Sequence, residues 1–91
     1  MFNVIKVLTE CGNKVLFSNG KGDYLVASYS VAFDTPECLL FKSDEQGEIL
    51  EWSELYGSKI SPEIPKTAAI FAVVSDYNGL LKRNEYNGAW S

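Results

Sequence analysis

The chain has 91 residues, 46% hydrophobic, 13% aromatic and 22% charged, with a net charge of −4 and no histidine. That length holds one domain and not two, and so large an aromatic share argues against disorder. The acidic balance excludes generic nucleic-acid binding, which needs Lys and Arg to displace counterions, and disfavours adsorption to anionic membranes.

Val4 to Leu8 is β-branched and weakly alternating, which reads as a first strand. Glu10-Cys11-Gly12-Asn13 is a turn signal, and Val15 to Phe17 returns as a second strand. After a loop with Gly20 and Gly22, Tyr24 to Val31 forms a third strand. Its alternation sets Leu25, Ala27, Tyr29 and Val31 on one face and Tyr24, Val26 and Ser28 on the other. Phe33-Asp34-Thr35-Pro36 reads as a connection, since Pro36 has no N–H for a ladder. Glu37 to Lys42 is the fourth strand, Asp44 to Gly47 a hairpin loop, and Glu48 to Trp52 a fifth strand. Ser53 to Tyr56 fits one helical turn stopped by Gly57.

Beyond a connector with Pro62 and Pro65, Ser61-Pro62-Glu63 has the look of a helix start. The run from Thr67 to Val74 shows no polar face, and its Ile70, Phe71, Val73 and Val74 favour a buried strand over the alternative, a buried helix. Asp76-Tyr77-Asn78-Gly79 and Glu85-Tyr86-Asn87-Gly88 read as two Asn-Gly turns, the first closing a hairpin between 68–74 and 80–83. The whole predicts an α+β, mostly β domain. Its small antiparallel sheet has about five or six strands, open or curled into a barrel, with at most one or two short helices. Exposed edges make a homodimer by edge pairing a further expectation.

Cys11 and Cys38 are predicted to be reduced, mostly buried thiols, too far apart for a CxxC motif and without the histidine of a mixed zinc site. The start Met1-Phe2-Asn3-Val4 lacks a basic and a long apolar region, and the longest apolar run is Ala68 to Val74. A span needs about 20 residues, so a cytoplasmic protein is expected.

The missing histidine removes Ser-His-Asp and Cys-His catalysis and most zinc hydrolase sites, so no enzyme is expected. Gly20-Lys21-Gly22 lacks the spacing of a phosphate loop. An EF-hand register around Gly47 puts Lys42 and Ser53 at ligand positions, which rejects calcium. No catalytic residue, cofactor or metal follows.

Charge is distributed unevenly. Seven acids (Asp34, Glu37, Asp44, Glu45, Glu48, Glu51, Glu54) and one base, Lys42, give the stretch from 34 to 54 a net of −6, against +2 for the rest. The simplest reading is a solvated face that keeps the sheet edge unpaired. The functional one is an acidic patch that attracts a basic partner or imitates phosphates. Trp52 lies among these acids with Tyr56 just beyond. Both residue types favour interface centres, though small cores also use them for bulk, and a core or half-core place is favoured for Trp52. Trp90 is either core or contact.

Residues 37–55, from Glu37-Cys38-Leu39-Leu40-Phe41 through Asp44-Glu45-Gln46-Gly47 to Trp52-Ser53-Glu54-Leu55, resemble a piece of small phage-encoded proteins. Those carry an acid-Thr start, Phe, a Gly turn and a Trp before an acidic-Leu ending; here Cys38 replaces the Thr. The resemblance covers about a fifth of the chain and implies no catalytic residue. It implies a phage accessory protein in the host cytoplasm, a class that includes inhibitors of bacterial defence such as anti-CRISPR proteins.

The function expected is non-enzymatic binding of a basic host protein, such as a nucleic-acid-binding complex, without direct nucleic-acid or membrane contact. Asp44, Glu45, Glu48, Glu51, Trp52, Glu54 and Tyr56 are the expected contact residues. The alternative is an oligomer that sequesters a nucleotide-like ligand through Tyr24, Tyr29 and the Gly20–Gly22 loop.

Overall fold

A computed structural model describes residues 1–87, with side chains described through Asn84. Five antiparallel strands follow one another in space as in sequence: β1 (Asn3–Val7), β2 (Lys14–Ser18), β3 (Tyr24–Ala32), β4 (Thr35–Ser43) and β5 (Tyr56–Lys59). One helix, α1 (Lys66–Asn87), completes the α+β fold. The sheet is an open meander with β1 and β5 at its edges rather than a barrel. Among the described residues, no helix is long and apolar enough to cross a membrane.

Alternation divides the strands into two faces as expected. Val15, Phe17, Leu25, Ala27, Cys38 and Leu40 point to one side and close a core with Ile70, Val73 and Val74 of α1. On the other side Leu16, Val26 and Phe41 stand in one cross-strand row, all buried. A bulge between Val4 and Lys6 bends β1, an irregularity that discourages edge pairing. Pro36 lies inside β4 opposite Val31 rather than in a connection. Its carbonyl accepts from the Ile60 N–H at 2.8 Å, toward β5. Its nitrogen points the same way, so no bond to β3 is lost.

The segment from 67 to 83 is helix, which overturns the favoured strand, the Asn78-Gly79 turn and the hairpin it would have closed. Ser61-Pro62-Glu63 forms a separate turn, Ile64 N–H to Ser61 carbonyl at 3.0 Å, and α1 starts one turn later behind Pro65. Its buried positions are Ala69, Ile70, Val73 and Val74, with Tyr77 half-buried. That stripe has helical spacing and becomes visible only when Tyr77 is read with the earlier residues. Asn78 serves tertiary structure: its Oδ1 accepts from the Phe2 N–H at 2.8 Å, and its Nδ2 donates to the Phe2 carbonyl at 3.0 Å. The amide thereby imitates a strand partner and pins Phe2 against Tyr77, ring centroids 6.2 Å apart. The second Asn-Gly pair ends at Gly88, and Trp90 follows it; both lie outside the described residues.

Candidate functional site

The connector between β4 and β5 carries most of the expected contact residues. Glu48 to Trp52 is not a strand: only Ile49 makes a bridge, to Ser43. Neither does 53–56 wind into a helix, because Tyr56 opens β5 opposite Leu40. With β5 taking the edge beside Glu37 to Leu40, the chain before it has no continuous strand to pair with.

The turn at the start is organised by Asp44. Its Oδ1 accepts from the N–H groups of Gln46 and Glu48, both at 2.9 Å. Its backbone closes the loop with Gly47 N–H to Asp44 carbonyl at 3.0 Å and Asp44 N–H to Glu48 carbonyl at 3.0 Å. Gly47 has φ 89°, and a Cβ there would stand 2.6 Å from Leu8 Cδ1. Glycine thus meets two demands, left-handed backbone and close approach to the end of β1.

Two bonds back to β4 then frame an excursion. The Leu50 N–H reaches the Lys42 carbonyl at 2.9 Å, and the Leu55 N–H the Leu40 carbonyl at 2.8 Å. Residues 51–54 bow outward between these anchors. Trp52 sits on the bow, 74% exposed, its ring centroid 5.6 Å from that of Phe41 at a 57° tilt. This corrects the core or half-core place expected for it. Glu45, Glu48, Glu51 and Glu54 of the same connector are all exposed. Glu54 also lies over β5, where a Cβ on Gly57 would collide with its carboxylate and with Leu39.

The structure does not gather all the expected residues. Tyr56 is half-buried on the helix side, its ring 6.1 Å from that of Tyr77, while Trp52 stands on Phe41 of the opposite face. Asp34 belongs to the β3–β4 turn at the far end of β4, a strand of nine residues and so roughly 30 Å long. Glu37 lies opposite Lys59. The −6 stretch is therefore spread along β4, with its densest part on the connector.

The ligand residues of the alternative reading also separate. Tyr24 and Gly22 line a hollow beside α1. Tyr29 packs elsewhere, with Lys66 Nζ 6.0 Å from its ring centre. The two thiols are free but differ: Cys38 is buried, whereas Cys11 is exposed, contrary to expectation. Burial pushes the Cys38 thiol up to about 11. The Asn13 N–H, then the Thr9 hydroxyl, with Lys66 nearby, hold Cys11 below its ordinary value.

Sequence reasoning missed Phe33. It is 100% exposed at the tip of the β3–β4 hairpin, with φ 51° there and 61° at Asp34. Two-residue hairpin turns of this kind favour Asn-Gly, and Phe-Asp gives no such signal.

Comparison with protein-family models, with curated protein sequences and with solved structures returned no match to this chain.

Proposed function

We propose that this protein is a non-enzymatic binding module whose connector, residues 44–55, docks on a basic protein surface. The observation that carries the reading is Trp52, held 74% exposed on an anchored bow of a connector that carries four exposed glutamates. A large ring in water contributes little to a small fold, whereas buried at the centre of an interface it is a typical hot spot. The glutamates supply long-range attraction and select against acidic partners. Asp44 acts indirectly, by holding the turn.

The resemblance of residues 37–55 to phage proteins suggests the kind of partner: a host defence protein whose cationic surface ordinarily holds nucleic acid. Carboxylates spaced along an exposed loop are suited to occupy such a surface in place of phosphates.

Reversing Glu45, Glu48 and Glu51 to Lys tests the reading, since all three side chains are exposed. Tagged wild type should retain one stoichiometric partner from bacterial lysate at low salt and release it at high salt. The triple variant should retain none while keeping its circular dichroism spectrum and melting temperature. Equal retention by a folded triple variant would exclude the connector as the docking surface.

A further inference from the structure

Three leucines stand open around one hollow. Leu50 is 60% exposed, Leu55 39% and Leu81 36%; the first two come from the connector and the third from α1. All three line a cavity of about 420 Å3 whose wall also includes Phe2, Leu25 and Tyr77. A second hollow of about 540 Å3 adjoins it, sharing Phe2, Asn19 and Leu81. Both volumes fall within the roughly 300–1,000 Å3 of small-ligand sites.

The charge around these hollows runs against the rest of the chain. Lys42 lines the first, and Lys21 and Lys82 line the second. Lys42, the lone base of the acidic stretch, is opposite Leu25 in the ladder and so belongs to the helix side. Among the described residues, the single carboxylate on these walls is Asp23, whose oxygen accepts from Asn19 Nδ2 at 2.8 Å. Three lysines against one carboxylate, in a chain of net −4, make a local reversal of sign.

We infer that the joined hollows bind a small amphiphilic anion, an aliphatic chain ending in a carboxylate or a phosphate ester. The leucines and Phe2 take the chain, and the lysines give the head group charge-assisted hydrogen bonds. A nucleotide fits less well: the rings on the wall, Phe2, Tyr24 and Tyr77, are buried or half-buried, the apolar side chains that stand open in the first hollow are the three leucines, and Tyr29 is not on that wall. The two sites share Leu50 and Leu55 of the connector but not the docking ring, since Trp52 lines neither hollow.

The test is a titration of methyl-labelled protein with dodecanoate and, separately, dodecyl phosphate, below their micelle-forming concentrations. Dodecyltrimethylammonium serves as the charge control. Saturable shifts at the Leu50, Leu55 and Leu81 methyls are expected with at least one anion, and a preference between the two names the head group. Lys42→Glu and Lys82→Glu should each weaken binding about tenfold, the loss of one charge-assisted contact. Absence of saturable shifts, equal binding of the cation, or unchanged affinity in both variants would overturn the inference. So would leucine shifts that depend on protein concentration without any amphiphile, because a second copy would then fill the hollow.

Discussion

One face of the sheet lies under a 22-residue helix that adds Ile70, Val73 and Val74 to a continuous core. The other carries a buried row of Leu16, Val26 and Phe41, and a connector without regular structure sets Trp52 on Phe41. The helix covers its face with interlocked side chains, so truncating one of them leaves a void. The connector is held at a few points: the Asp44 turn, Gly47 against Leu8, and the bonds from Leu50 and Leu55. Few anchors allow the segment between them to present charge and an aromatic ring to solvent. The helix face thus carries stability and the docking ring stands on the other, as expected when binding segments come from the less stable parts of a fold.

The comparison is sharpened most by truncating the helix face. Ile70→Ala should cost about 2–5 kcal/mol, a large part of the roughly 5–15 kcal/mol typical of a whole domain, read as a lower urea midpoint. Trp52→Ala, removing a mostly exposed ring, should stay below about 1 kcal/mol. Equal losses would mean that the connector contributes as much to stability as the helix.

Next in size, Gly47→Ala places a side chain at φ 89° and against Leu8. It should cost about 2 kcal/mol, mostly backbone strain. The double variant with Leu8→Ala should recover the collision and not the strain, separating the two by denaturant melts. Full recovery would show that the left-handed conformation costs nothing there.

In the opposite direction, replacing Phe33-Asp34 by Asn-Gly should raise stability by about 1 kcal/mol, because both positions already have positive φ. A melting temperature that falls would show that exposed Phe33 contributes packing after all.

The Cys38 thiol matters only in alkaline solution. Burial raises the Cys38 thiol from 9.0 to about 11, so the folded state holds this proton more tightly than the unfolded chain. That contribution is present below pH 9 and is lost as pH rises toward about 11. Cys38→Ala should flatten this alkaline decline in denaturant melts. At neutral pH iodoacetamide should label exposed Cys11 alone and reach Cys38 only on unfolding.

The first four strands were legible because β-branched residues, alternation and glycine turns agree there. α1 was not, because Asn78-Gly79 interrupts it with a turn signal whose glycine has low helix propensity. The two hydrogen bonds between Asn78 and Phe2 show a tertiary use for the asparagine that no local pattern announces. Ile49, Leu50 and Trp52 suggested a strand, yet the edge position beside β4 went to Tyr56–Lys59. In the candidate site, the residue types were readable and their exposure was not. Whether a tryptophan is covered depends on what the rest of the chain leaves free, and here α1 packs on the other face. Tyr56 shows the same point in reverse, since the register opposite Leu40 turns it inward.

The docking claim is tested most directly by comparing the two exposed aromatic tips. Trp52→Ala and Phe33→Ala remove rings that are 74% and 100% exposed, at opposite ends of β4. Partner affinity measured by calorimetry should fall by at least about 30-fold for Trp52→Ala, as for a hot-spot residue, and stay within about twofold for Phe33→Ala. Loss with Phe33→Ala and retention with Trp52→Ala would contradict the account and move the docking surface to the β3–β4 hairpin.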